Sequence, residues 1–438
     1  MLPARTLPSL AAAIAAGDAR RGEVAATTAD RKARLPLRYW RQQAHYTTPA
    51  PDEAKARKAV EGGTAPVARI LERFGVAPAA LAERLGIDER CVGDLLATPA
   101  RAPLVVLDGE DAQVQRPALT VTSLRTAAAV LREADWSGPG PATLRFFRPP
   151  GFDAETTVRD LYTLLWSLAE GTPSGPAGRM AYPLDGIIVP KLQHPEEMDL
   201  VDGLLEAAEI ALGLAVGSIR IGLLVESGWC AAQLPEIARR AAPRLASLIF
   251  GSVDYSADVG LPEIAREHPL ADWVRAEIVG VAGAVGVPAI DGMTLEFPVL
   301  DPALDGPANR ERFLDRMALI HRDALRARAA GMAGKWVGHP AQLFAVLLAF
   351  EAGLEPSALE AEAAKLETYR RAAQDEARGV TVIDGVMSDR ATDRHARVVL
   401  RQATALGRFD PERALALGVI DSDEIDDARR AADTAGTR

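Results

Sequence analysis

The chain has 438 residues, with 60 Asp and Glu against 50 Lys and Arg, for a net charge of −10. That acidic balance argues against a nucleic-acid-binding surface over the whole chain, and 48% apolar with 25% charged residues is the composition of a soluble globular protein. Its two cysteines, Cys91 and Cys230, show no CxxC or Cys/His ligand spacing. A disulfide framework or structural zinc is thus disfavoured, and a reducing cytoplasm fits. No apolar run is long enough to span a bilayer. The early stretch LPSLAAAIAAGDARRGE has no strong basic n-region and reads as an amphipathic helix ending at Gly17, not as a signal peptide.

Residues 1–40 are Ala- and Arg-rich and form an expected N-terminal helical segment. RQQAHYTTPAP (41–51) supplies a first strand, and 52–101 reads as a helical insertion with helices at 52–61, 64–75 and 77–97. Within it, PAALAERLGIDERCVGDLL (78–96) has the cadence of a helix-turn-helix about Gly86; two helices packed inside a larger domain are preferred to DNA binding in an acidic chain. From 103 onward strands alternate with helical segments. PLVVLDGEDAQ (103–113), ATLRFFRPPG (142–151), LDGIIVPK (184–191), Ile219–Val225, Leu245–Phe250, VPAIDGMTLEF (287–297) and GKWVGHPAQL (334–343) are the remaining strands. Eight strands separated by helices predict an α/β fold, a TIM (β/α)8 barrel with a helical insertion after the first strand and a helical C-terminal extension. The barrel domain runs over 41–345, and 346–438 forms a C-terminal helical segment with a lid loop bearing Asp384 and Asp389. No GxGxxG turn follows any strand, which disfavours an open doubly wound sheet.

The stretch from Ser218 to Gly260 organises the rest. Its two apolar runs, each suited to a strand buried on both faces, end in Glu226 and Asp254. In a parallel barrel the carboxyl ends of strands gather on one rim, so these acids become neighbours, and two acids in one pocket call for a cation. Mg²⁺, with Mn²⁺ as the alternative ion, suits two carboxylates and open positions for substrate. The plainer reading is that each acid caps the helix after it. Lys191 at another strand end could carry imine chemistry, His339 stands in a GHP turn, and Trp229 and Trp336 read as packing.

Several fragments, in order over 103–400, together resemble the citrate lyase β-subunit and malyl-CoA lyase family. VVLDGEDAQ is similar to the family's LDLEDAV, LRFFRPPG to VRVNP, and LDGIIVPKLQHPEEM to DGIMLPKV with its short acidic helix. LLVES resembles LIET, LIFGSVDYSADVG resembles FGAEDLAADLG, and PAIDGMTLEF resembles AIDGV. GKWVGHPAQL is similar to GKxxIHPxQ, and DGVMSDRATDRHAR to the late GxMIDxPxxxRAR loop. GKWVGHP also echoes malate synthase, a more distant relative. The family's first strand, RSxLFVPG, is replaced by RQQAHYTTP, and Val253 stands where the family has Glu.

The resemblance implies a Mg²⁺-dependent barrel that makes or breaks a carbon–carbon bond next to a 2-oxo acid or an acyl-CoA thioester. Carried over by position, Glu226 and Asp254 ligate the metal, and Arg145 binds the oxo-acid or enolate oxygens together with Gly251 and Ser252. Glu110 orients Arg145, and Asp389 reaches the site of a neighbouring subunit as acid/base group. Arg148, Asp108 and Asp111 are left to structural roles. Such cleavage leaves a carbanion beside a carbonyl, whose oxygen a cation and a fixed guanidinium stabilise. The resemblance further implies a homo-oligomer, trimer or hexamer, without nucleic-acid or membrane partners. A malate-synthase-like condensing enzyme, an acyl-CoA thioesterase and a non-catalytic binding protein are the competing readings.

Overall fold

The apolar runs become eight parallel strands that close into a barrel in chain order in the computed structural model. The structure describes residues 35–111, 116–136, 142–152, 154–170, 182–264, 267–352, 354–375, 381–383, 386–388 and 390–435, with isolated helical positions between 12 and 21. The strands are β1 (Ala44–Pro49), β2 (Leu104–Asp108), β3 (Leu144–Arg148), β4 (Gly186–Val189), β5 (Arg220–Val225), β6 (Leu245–Phe250), β7 (Ala289–Asp291) and β8 (Gly334–Val337). Every residue of β2 and β6 is buried. Helices cover one face of such strands and the barrel's filled interior the other, which is why they read as unbroken apolar runs. Closure runs from Ala44 opposite Lys335 to Tyr46 opposite Val337.

Strand ends differ most from expectation where glycine intervenes. The run 287–297 yields only the three residues of β7. A side chain at Gly292 would stand 2.7 Å from Ser252 Oγ and 2.9 Å from the Phe250 carbonyl oxygen, so the chain passes tightly over the end of β6 there. Behind β7 and β8, between the barrel and its helices, lies a fully buried charge network. Lys335 Nζ donates to Asp291 at 2.8 Å and lies 3.0 Å from Asp323, while Arg275 Nε donates to Asp291 at 2.8 Å.

The expected insertion folds as helices 53–62, 67–74, 78–85 and 89–97. Gly75 (φ 62°) and Gly86 (φ 70°) end two of them in the left-handed conformation that glycine adopts freely. Phe74 stacks on Phe313 of helix 306–329 with ring centroids 4.4 Å apart. Arg84 pairs with Glu311 at 2.6 Å and with Asp315. With Leu81, Leu85 and Val92 buried, the pair resembling a helix-turn-helix is part of the barrel's outer shell.

After the apolar closing helix 340–351 come helices 356–375, 390–405, 411–416 and 425–435, with a small antiparallel ribbon pairing 381–383 with 386–388. They form a second core around Leu359, Leu366, Leu400, Phe409 and Leu417, which includes Leu37 from a single 3₁₀ turn at 37–40. Arg41, three residues before β1, donates to the Ala405 carbonyl at 2.5 Å and to the Asp427 carbonyl at 3.1 Å. The C-terminal helices therefore rest on the amino-terminal end of the barrel. Among the described residues no single helix is long and apolar enough to cross a membrane.

Candidate active site

Strand direction places the ends of β2, β3, β5 and the start of the helix after β6 on one rim. There Asp108, Asp111, Arg148, Glu226, Gly251, Ser252 and Asp254 line a cavity of about 480 Å³, walled by Leu224, Phe250, Met293, Leu295 and Trp336. Arg148 is its anchor. Nε and Nη2 donate to the two oxygens of Asp108 at 2.8 and 2.6 Å, and Nη1 lies 3.0 Å from Glu110 and 3.3 Å from Asp111. The indole of Trp336 packs 5.4 Å from the guanidinium, so the fork is fixed on several sides.

Arg145 is a correction. It stands at the amino-terminal end of β3, where its backbone N–H and Nε both donate to Asp185, at 2.8 and 3.1 Å. Arg38 pairs with the other Asp185 oxygen at 2.9 Å. Arg145 thus belongs to a charge cluster at the far rim, and Glu110 orients Arg148, not Arg145. Asp108 and Asp111, read as structural caps, sit against the same guanidinium. The rule that working residues gather at the carboxyl ends of barrel strands distinguishes the two arginines, because Arg148 is the last residue of its strand.

Glu226 and Asp254 do come together, but with a basic group between them. Lys191 Nζ is 2.5 Å from Asp254 Oδ1, 3.8 Å from Glu226 Oε1, 3.6 Å from Glu110 and 3.7 Å from Asp111. The Lys191 backbone N–H also donates to Glu226 Oε1 at 2.6 Å. Glu226 Oε2, by contrast, is buried without a hydrogen-bond partner. Gly251 makes its position possible, since a side chain there would fall 2.5 Å from Glu226 Cβ. Among the described residues no group of three or more His, Cys, Asp or Glu is arranged to hold a metal. A magnesium ion needs only one or two carboxylates, with water and substrate completing its shell. Five carboxyl groups, Asp108, Glu110, Asp111, Glu226 and Asp254, face two cations, Arg148 and Lys191, so the acids outnumber the cations even when Glu110 holds a proton. An orphaned carboxylate oxygen in such a surplus fits a hard divalent cation, provided that the ammonium gives way.

Burial raises the Glu226 carboxyl from its ordinary 4.5 to about 7, with Lys191 opposing and Asp254 adding to the shift. Glu110 is also pushed well up, by burial first and against the pull of Arg148. The folded site therefore holds a proton on Glu226 that the unfolded chain gives up around pH 4.5. Its contribution to stability is full below that pH and is lost as pH rises through about 7. In EDTA, Glu226→Gln is expected to unfold at a higher temperature than the wild type at about pH 8 and to differ much less at about pH 5. Thermal melts at the two pH values check this.

Of the other predicted groups, Ser252 opens the helix 252–258, and its carbonyl accepts the Ser256 hydroxyl at 2.6 Å. His339 caps helix 340–351 through Nδ1, accepting the Ala341 N–H at 3.2 Å, and burial lowers its pKa to about 4. Asp384 and Asp389 lie outside the described residues.

A family model described as a domain of unknown function, DUF6986, matches residues 38–432. The L-malyl-CoA/beta-methylmalyl-CoA lyase of Rhodobacter capsulatus is 30% identical over 236 residues, covering 50% of this chain and 67% of that protein. The chain belongs to the DUF6986 family and to the family of the malyl-CoA lyases. It is an enzyme of the lyase class. A crystal structure of a citrate lyase from Burkholderia xenovorans shares the fold with a TM-score of 0.54 at 24% identity, over 86% of this chain and 95% of its own. The glyoxysomal malate synthase of Zea mays is 30% identical over 179 residues, 38% of this chain and 31% of that protein.

Proposed function

We propose that this protein is a divalent-cation-dependent carbon–carbon lyase acting on a 2-hydroxyacyl thioester, with Glu226 and Asp254 as the ion's protein ligands. One observation carries the reading: a buried Glu226 oxygen with no partner, beside Asp254, on a rim whose acids outnumber its cations. When bound, Mg²⁺ supplies Lewis-acid stabilisation of the charge that develops on the carbonyl oxygen during cleavage. Arg148, held by Asp108 and Glu110, offers its remaining N–H donors to the same developing charge and orients the oxo-acid end of the substrate. Leu224, Phe250, Met293 and Trp336 exclude water from that end and so strengthen both interactions. Glu110, its pKa raised, holds a proton on its carboxyl near neutral pH beside Arg148. The CoA thioester is proposed from the name of the Rhodobacter relative, and a homo-oligomer whose late loop supplies Asp389 to a neighbour's site from the family resemblance.

The test is an assay with L-malyl-CoA. Glyoxylate and acetyl-CoA should appear with Mg²⁺ and not with EDTA. Incubation of glyoxylate with acetyl-CoA separates a synthase, which would release free malate and CoA. A protein that turns over neither mixture under any divalent ion would overturn the reading.

A further inference from the structure

Lys191 has no role in the chemistry proposed above, and its geometry is unusual in two independent respects. It is the one non-glycine among the described residues with a positive φ, 57°, a conformation that disfavours a side chain with a Cβ. Its side chain is only partly exposed, and its ammonium meets four different carboxyl groups within 3.8 Å. The two facts are connected. With the backbone turned this way, the Lys191 N–H reaches Glu226 Oε1 while the side chain folds back over Asp254. Strain of this kind persists only where surrounding contacts hold it. Here those contacts are the two acids assigned to the metal.

We propose that Lys191 is the resident counter-cation of this site and its selectivity element, occupying the carboxylate pocket so that only an ion of higher charge gains by replacing it. A monovalent ion entering the cluster exchanges one positive charge for another and gives up the hydrogen bond to Asp254. A divalent ion offsets twice the charge and takes up the orphaned Glu226 oxygen. The ammonium leaves Asp254 as the ion arrives, and a cavity of about 340 Å³ that opens beside Glu226 and Asp254 and extends past Gln193, Ser227 and Ala257 gives it room near a further acid, Asp258. The backbone bond to Glu226 Oε1 requires no side chain, so Glu226 stays aligned throughout.

This inference rests on Glu226 and Asp254 being the cation's ligands, and the experiment separates the two claims. Mn²⁺ binding to the full-length protein is measured by water-proton relaxation and calorimetry for the wild type, Lys191→Met, Lys191→Gln and Glu226→Gln, without substrate. Lys191→Met, unbranched and uncharged, is expected to bind Mn²⁺ at least roughly ten-fold more tightly, since a positive charge within a few ångströms opposes the metal. In EDTA its melting temperature should fall below the wild type's and become sensitive to K⁺, which leaves the wild type unmoved. Lys191→Gln provides the same reading should the methionine variant not fold. If both Lys191 variants bind Mn²⁺ equally or less tightly while Glu226→Gln fails to bind, the ligand assignment stands and the counter-cation proposal is overturned. If no variant nor the wild type binds Mn²⁺, both are overturned.

Discussion

Glu226→Gln and Asp254→Asn each remove divalent-ion binding and lower turnover by at least about 10²–10³-fold, the scale seen when a group stabilising developing charge is lost. The two variants separate in stability, which is what makes them informative. Glu226 is buried, and its raised pKa records a carboxylate held in an unfavourable place. The neutral amide keeps the shape and can still accept the Lys191 N–H, so Glu226→Gln is as stable as the wild type near neutral pH, or more so. Asp254→Asn instead weakens the 2.5 Å bond to the Lys191 ammonium. Calorimetric titration with Mg²⁺ beside a melting curve distinguishes loss of a ligand from loss of the fold. Full metal affinity in either variant would sink the assignment.

The second large effect falls on one arginine of β3 and spares the other. Arg148→Met leaves Asp108 buried without its guanidinium and should destabilise the protein by about 3–5 kcal/mol, as removal of one partner from a buried pair does. Arg148→Lys keeps the charge and loses the two-pronged grip, so turnover falls by about 10²-fold with a much smaller change in stability. Arg145→Lys, at the far rim, leaves turnover at the wild-type level and costs less stability than Arg148→Met, because Arg38 and the backbone N–H of position 145 still hold Asp185. Steady-state kinetics with urea unfolding of all three variants check this. An Arg145 variant with the activity loss expected of Arg148 would reverse the assignment.

Why the barrel was readable and Arg148 was not has a physical answer. Parallel strands covered on both faces leave apolar runs that need no partner to be recognised, and β2, β5 and β6 begin and end within two residues of their runs or inside them, apart from the acidic tail after Asp108. Glu226 and Asp254 were legible because Glu226 follows its run directly and Asp254 stands four positions past the end of its own. Arg145 and Arg148 sit on one five-residue strand, and a motif match that slips by three positions moves the choice from one rim of the barrel to the other. Lys191 was harder still. Nothing in VPKL announces a left-handed backbone at a lysine, because the acids that hold it arrive from just past β2, just past β5 and the helix after β6. The insertion's helices were visible in their own periodicity, whereas the surface they pack against was not.

That surface has a consequence for how the protein is made. Helices 53–97 leave the ribosome well before helix 306–329, with Gly306 following Ala97 by 209 positions (306 minus 97). Until Phe313 is synthesised, Phe74 lacks its stacking partner, and β1 waits as an open edge for β8. The nascent chain therefore carries an unfinished ring and a sticky flank through most of its translation, a state that favours chaperone engagement until β8 has emerged.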